Sequence, residues 1–175
     1  MILKFNKKIL IKVAKFLVIL NILAIPMLIV IYLDWTWTPL QTAFTYLTFW
    51  TLKLLGYSVH LDTLNITTDV PFIIYSDPSY PPYRISWDST GWKTMYLLAI
   101  LTFAAPVTSI MKKLKFLALG LPLMFSINFL RIVSTLMLAF TFGKDYFEIV
   151  HTFLWSEGLV FAVVAIWYLW VRHKL

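Results

Sequence analysis

Apolar residues dominate five stretches of the chain, roughly 9–33, 38–56, 90–111, 115–142 and 148–171. A helix needs about 20 apolar residues to cross a bilayer, and each stretch is close to that length. Pro26 predicts a kink in the first. The second carries Gln41, Thr45, Thr48 and Thr51 at spacings of three and four, a polar stripe along one helical face. A helix of that kind can lie in the membrane interface or re-enter it. The stretch 57–88 breaks the pattern. Tyr57-Ser58-Val59-His60-Leu61 alternates, Pro71-Phe72-Ile73-Ile74-Tyr75 is strand-like, and Asp77-Pro78 and Pro81-Pro82 mark turns. The prediction is an all-α membrane protein, a polytopic bundle of four to five spans. A small extracytoplasmic β-hairpin caps its mouth and can hold an extended peptide by strand addition. Residues 1–175 read as one unit, with no internal repeat.

Composition strengthens the membrane assignment. Of 175 residues, 61% are hydrophobic and 13% charged, and mean hydropathy is +0.82. Soluble domains are about half apolar and a quarter charged. The net charge of +7 does not indicate nucleic-acid binding, because the Lys residues gather at segment ends. That distribution sets a topology. Lys4, Lys7, Lys8, Lys12 and Lys15 place the N-terminus in the cytoplasm, as Lys112, Lys113 and Lys115 do the third junction and Arg172 and Lys174 the C-terminus. Asp34, Ser89 and the Gly143-Lys144-Asp145 loop then lie outside, so 38–56 does not cross and four spans remain. If it does cross, there are five. The first stretch is longer than a signal-peptide core and no small-residue cleavage site follows it, so it reads as a retained span. There is no Cys, which excludes disulfides and thiolate metal sites; no metal or cofactor is expected.

Polar groups at the mouth or inside of such a bundle mark function. Ser89 sits in Trp87-Asp88-Ser89-Thr90-Gly91-Trp92-Lys93, where the third segment begins. As an isolated feature it reads as a helix cap. The same position also suits a nucleophile, because backbone N–H groups near Thr90 and Gly91 can stabilise an oxyanion. Arg131 lies well inside the fourth segment and can bind a substrate carbonyl or carboxylate, or an oxyanion; otherwise it snorkels or pairs to hold helices together. Asn128, one turn away on the same face, can orient it. His151 opens the fifth segment on the outer side, placed as a general acid/base or simply as an interfacial His. Lys93 can attract a phosphate or carboxylate, or anchor the interface. Glu157, on nearly the opposite helix face to His151, reads as a pairing partner within the bundle. His60 and His173 read as solvent residues, and the Trp residues as an interfacial belt.

At these residues the chain resembles the exosortase/archaeosortase family, its archaeal branch above all. The resemblance covers roughly 45–172. It includes Leu55-Gly56, the run Asp88 to Lys93, Gly120-Leu121-Pro122-Leu123 leading to Asn128-Phe129-Leu130-Arg131, then His151 and Glu157-Gly158. The resemblance implies a membrane-embedded cysteine transpeptidase. Its substrates are surface proteins with a C-terminal signal: a short motif, a hydrophobic helix and a basic tail. The acyl-enzyme passes to an acceptor, a lipid in the archaeal branch. It implies that Ser89 stands at the family's Cys position, with Arg131 and His151 as the second and third catalytic residues. The missing thiol then reads as an engineered Cys-to-Ser exchange, with a natural Ser variant or a degenerate pseudoenzyme as the alternatives, giving a form that binds substrate but is inactive or nearly so. Two rivals stand beside it. One is an intramembrane serine protease using Ser89 and His151; the other is a non-enzymatic transport or assembly subunit.

Overall fold

The computed structural model describes residues 7–62, 70–77, 81–143 and 155–173, with side chains of the last stretch described from Gly158 on. Among the described residues five helices carry the fold: α1 (Lys7–Tyr32), α2 (Thr38–Leu54), α3 (Trp92–Ala104), α4 (Ile110–Phe142) and α5 (Trp155–Arg172). Two strands, β1 (Val59–Asp62) and β2 (Phe72–Tyr75), lie between α2 and α3, and a 3₁₀ turn at Asp88–Thr90 precedes α3. The strands pair antiparallel, Val59 with Tyr75 through Asp62 with Phe72, so the expected hairpin is present. Among the described residues α1 and α4 are long and apolar enough to cross a membrane.

α4 is the spine. Its 33 residues make a rod of about 50 Å, and it serves two cores in succession. Leu117 and Met124 pack with Leu98 of α3 and with Leu159 and Val163 of α5. Higher up, Ile132, Val133, Leu136 and Phe140 pack with Phe44, Phe49 and Leu52 of α2, Val59 and Ile73 of the strands, and Ile85. Gly120 permits the close approach of α3: a Cβ there would lie 3.2 Å from Leu98 Cδ2. Asn128 and Arg131 sit on α4 where the lower core gives way to the upper.

α3 is shorter than the segment expected at 90–111. Ala105 turns extended at φ −62°, ψ 122°, as the residue before a proline must, and Pro106 ends the helix. Thirteen residues span about 20 Å, less than a bilayer core of about 30 Å. Lys113 Nζ donates to the Phe103 carbonyl at 2.7 Å, satisfying an orphan acceptor at the helix end.

The polar stripe of α2 does not face outward, as a helix lying in an interface would present it. Gln41, Thr45 and Thr48 are buried, while Tyr46, Leu47, Trp50 and Leu54 are exposed. Thr45 returns its hydroxyl to the Gln41 carbonyl at 2.9 Å, and Gln41 Nε2 donates to the Ile85 carbonyl at 3.3 Å. α1 has no buried residue at all. It lies against α3, tied by the Tyr96 hydroxyl to the Leu23 carbonyl at 2.8 Å.

Candidate active site

The turn carrying Ser89 is built by hydroxyls. Ser86 Oγ accepts the Ser89 N–H at 3.2 Å and lies 2.8 Å from Ser89 Oγ. Thr90 Oγ1 donates to the Trp87 carbonyl at 2.7 Å. Ser86 thus braces the turn, while the side-chain cap that the sequence attributes to the Asp-Ser-Thr run is not formed: α3 begins after Gly91 with no side-chain cap hydrogen bond. Ser89 sits within the 3₁₀ turn, its hydroxyl in contact with that of Ser86 and capping no helix. Gly91 then reverses the chain at φ 75°, the left-handed region, and α3 starts at Trp92.

Asn128 of α4 locks that turn. It is fully buried, and its Nδ2 donates to the Ser89 carbonyl at 3.0 Å. It also lies against Gly91 so closely that a Cβ at 91 would come within 2.6 Å of Asn128 Cγ. Glycine is needed here twice, for its backbone conformation and for the missing side chain. The Asn128 Oδ1 is buried without a hydrogen-bond partner among the described residues.

One turn along α4, Arg131 is 9% exposed. Its guanidinium has no hydrogen bond or ion pair among the described residues. Only its backbone is engaged: the Arg131 carbonyl accepts the hydroxyls of Ser134 at 3.0 Å and Thr135 at 2.7 Å. Ser89 and Arg131 line a common cavity of about 190 Å³, together with Tyr83, Arg84, Ile85, Ser86, Ile132, Thr135 and Leu136. A nearly buried cation without a counter-charge is costly, and a cavity at its face is room for the group that completes it.

The other expected residues divide. Thr90 and Gly91 shape the turn without lining the cavity, and their amides already bond: Thr90 N–H to the Trp87 carbonyl at 3.1 Å, Gly91 N–H to that of Asp88 at 3.4 Å. In this conformation Arg131 lines the cavity and those amides do not. Lys93 pairs with Asp88 at 2.8 Å and lines a separate crevice with Asp34, Trp35, Trp87 and Trp92. Trp87 and Trp92 stack there at 5.3 Å. His151 and the Glu157 side chain lie outside the described residues. No group of three or more His, Cys, Asp or Glu fit to hold a metal occurs among the described residues. The reading from sequence missed Ser86 and Gln41. A Ser three residues before the turn's own Ser is a recognisable spacing for a local side-chain-to-backbone bond; Gln41 reaching the Ile85 carbonyl, 44 positions away, has no local signature.

Residues 3–172 match the model of the transmembrane exosortases. The chain belongs to that family. No curated protein and no solved structure matches it. Exosortases are of membrane transpeptidase type, and the match together with the apolar helices gives this exosortase a membrane location.

Proposed function

We propose that this exosortase cleaves C-terminal sorting signals of surface proteins at the outer face of the membrane and transfers them to an acceptor, a membrane lipid. Position 89 carries the nucleophile. It adds to the scissile carbonyl, and Arg131 stabilises the oxyanion. His151 takes the nucleophile's proton and gives it to the departing amine, so the amide breaks and an acyl-enzyme remains. The acceptor's nucleophile then attacks the acyl carbon, and the position-89 group leaves with its proton restored. The observation that supports this reading most is the Arg131 guanidinium, nearly buried and unpaired among the described residues, on the wall of the cavity that Ser89 also lines. A pocket that develops negative charge during reaction is what such a cation fits.

With Ser at 89 the protein binds substrate and turns it over little or not at all, because a hydroxyl is a far weaker nucleophile than a thiolate at neutral pH. A Cys-to-Ser exchange accounts for a chain with no Cys. The test is reconstituted Ser89→Cys protein with peptides carrying a variable motif, an apolar helix and a basic tail, followed by mass. Cleavage by the Ser89→Cys variant, absent in the Ser form and lost again in the double variant Ser89→Cys with Arg131→Ala, is the expected result. A second reading, an intramembrane serine protease using Ser89 and His151, draws support from the Ser89 hydroxyl lying 2.8 Å from Ser86 Oγ and capping no helix. Labelling of Ser89 by a fluorophosphonate would favour it over the exchange.

A further inference from the structure

β2 has a neighbour on both edges. β1 lies on one. On the other, Ile73 N–H donates to the Tyr83 carbonyl at 2.8 Å and Tyr83 N–H to the Ile73 carbonyl at 2.9 Å. The segment leading to Ser89 thus enters the sheet at Tyr83. In an antiparallel pair, a residue that exchanges both bonds with one neighbour leaves the next residue's N–H and C=O pointing to the opposite edge. That next residue is Arg84. Its N–H and C=O, and the N–H of Ser86, have no hydrogen-bond partner among the described residues. The intervening Ile85 turns its carbonyl to Gln41 of α2 at 3.3 Å. Arg84 and Ser86 line the cavity shared by Ser89 and Arg131. The Arg84 guanidinium lies over the Phe72 ring at 5.9 Å.

We propose that the Arg84–Ser86 edge docks the extended segment of the protein substrate just ahead of its scissile bond, as an added β-strand. This rests on the function proposed above and specifies how that site takes its substrate. Alternating N–H and C=O groups match a peptide backbone and have no counterpart in a lipid chain. The edge ends at Ser86, whose hydroxyl contacts Ser89, so a strand running along it delivers its next carbonyl to the nucleophile. Charge agrees with this occupant. Among the described residues, the charged members of the cavity wall are Arg84 and Arg131, with no carboxylate, so the docked segment carries no positive charge and the basic tail lies elsewhere.

The experiment begins with a library of short random segments, each followed by the same apolar helix and basic tail, panned against the Ser89 protein in nanodiscs. The tightest peptide is then remade with single backbone N-methyl or ester replacements, and its affinity is measured by fluorescence polarisation. Loss of about tenfold at every second residue, with intervening residues unaffected, is expected for strand pairing. Arg84→Ala keeps the alternation, since the bonds are made by backbone, whereas Arg84→Pro removes one donor and weakens binding. A peptide that binds and is cleaved by the Ser89→Cys variant, yet shows uniform sensitivity or none, overturns the docking edge alone. A library that yields no binder overturns the substrate class as well.

Discussion

Ser86 and Ser89 share a contact that gives the proposed nucleophile position a neighbour with a proton to donate. In Ser89→Cys the Ser86 hydroxyl stabilises the thiolate, and Ser86→Ala in that background raises the thiol pKa by about one unit, the worth of one hydrogen bond to a charge. The chain has no other Cys, so the pH dependence of alkylation reads that thiol alone. An unchanged profile would remove Ser86 from the site. Gly91 and Asn128 make a second pair. Gly91→Ala forces a side chain into a left-handed residue and onto Asn128, and is expected to cost about 2–4 kcal/mol. Removing Asn128 as well relieves the clash, so Gly91→Ala with Asn128→Ala loses less than the two separate losses combined. Additive losses in chemical denaturation would show that the two residues do not touch in solution.

At the scale of elements, α2 shows how one polar stripe can hold residues of opposite value. Thr48 Oγ1 is buried without a partner among the described residues, so Thr48→Val is expected to be neutral or to stabilise by up to about 1 kcal/mol. Gln41 holds the Ile85 carbonyl, next to the cavity. Gln41→Leu is expected to destabilise by about 1 kcal/mol and, in the Ser89→Cys background, to slow peptide cleavage. If both substitutions shift the melting midpoint in the same direction, the assignment of their hydrogen bonds is wrong. The stripe itself is legible as a 3.6-residue period, but period alone cannot say what the face meets. In this exosortase its polar face meets α4 and the segment before the turn, and the apolar face is left outside.

For the whole molecule, the hydrogen bond from Asn128 to Ser89 sets the level of the site along α4. Asn128 lies about 20–25 Å from the Lys112–Lys115 cluster along the helix. If those lysines mark the cytoplasmic surface, as the charge pattern predicts, the candidate site would be near the outer limit of a bilayer core of about 30 Å. On that topology the upper part of α4 would belong with α2 and the strands to an outer cap. Thr36 and Ser58, both exposed, flank α2, and single Cys substitutions there report the topology. Labelling of both by an impermeant maleimide in intact cells is expected if α2 does not cross. Labelling of only one would mean that it does, and would add a fifth span.

Composition and apolar run lengths determined the membrane class, the helices and the polar stretch between the second and third, because burial in lipid demands long runs of residues that need no water. Period-two alternation marked the first strand and a strand-like run at 71–75 the second, and costly polar groups in an apolar chain singled out Ser89, Asn128 and Arg131. What faces what was decided only by tertiary structure. The sequence could not show that Ser86 braces the turn and touches Ser89, that Lys93 turns to Asp88, or that the Arg131 guanidinium is left without a partner among the described residues. Each depends on distances between groups that neighbouring sequence does not fix: α4 packs against a turn 39 positions earlier, and the bonds a side chain makes follow from which surfaces that packing brings together.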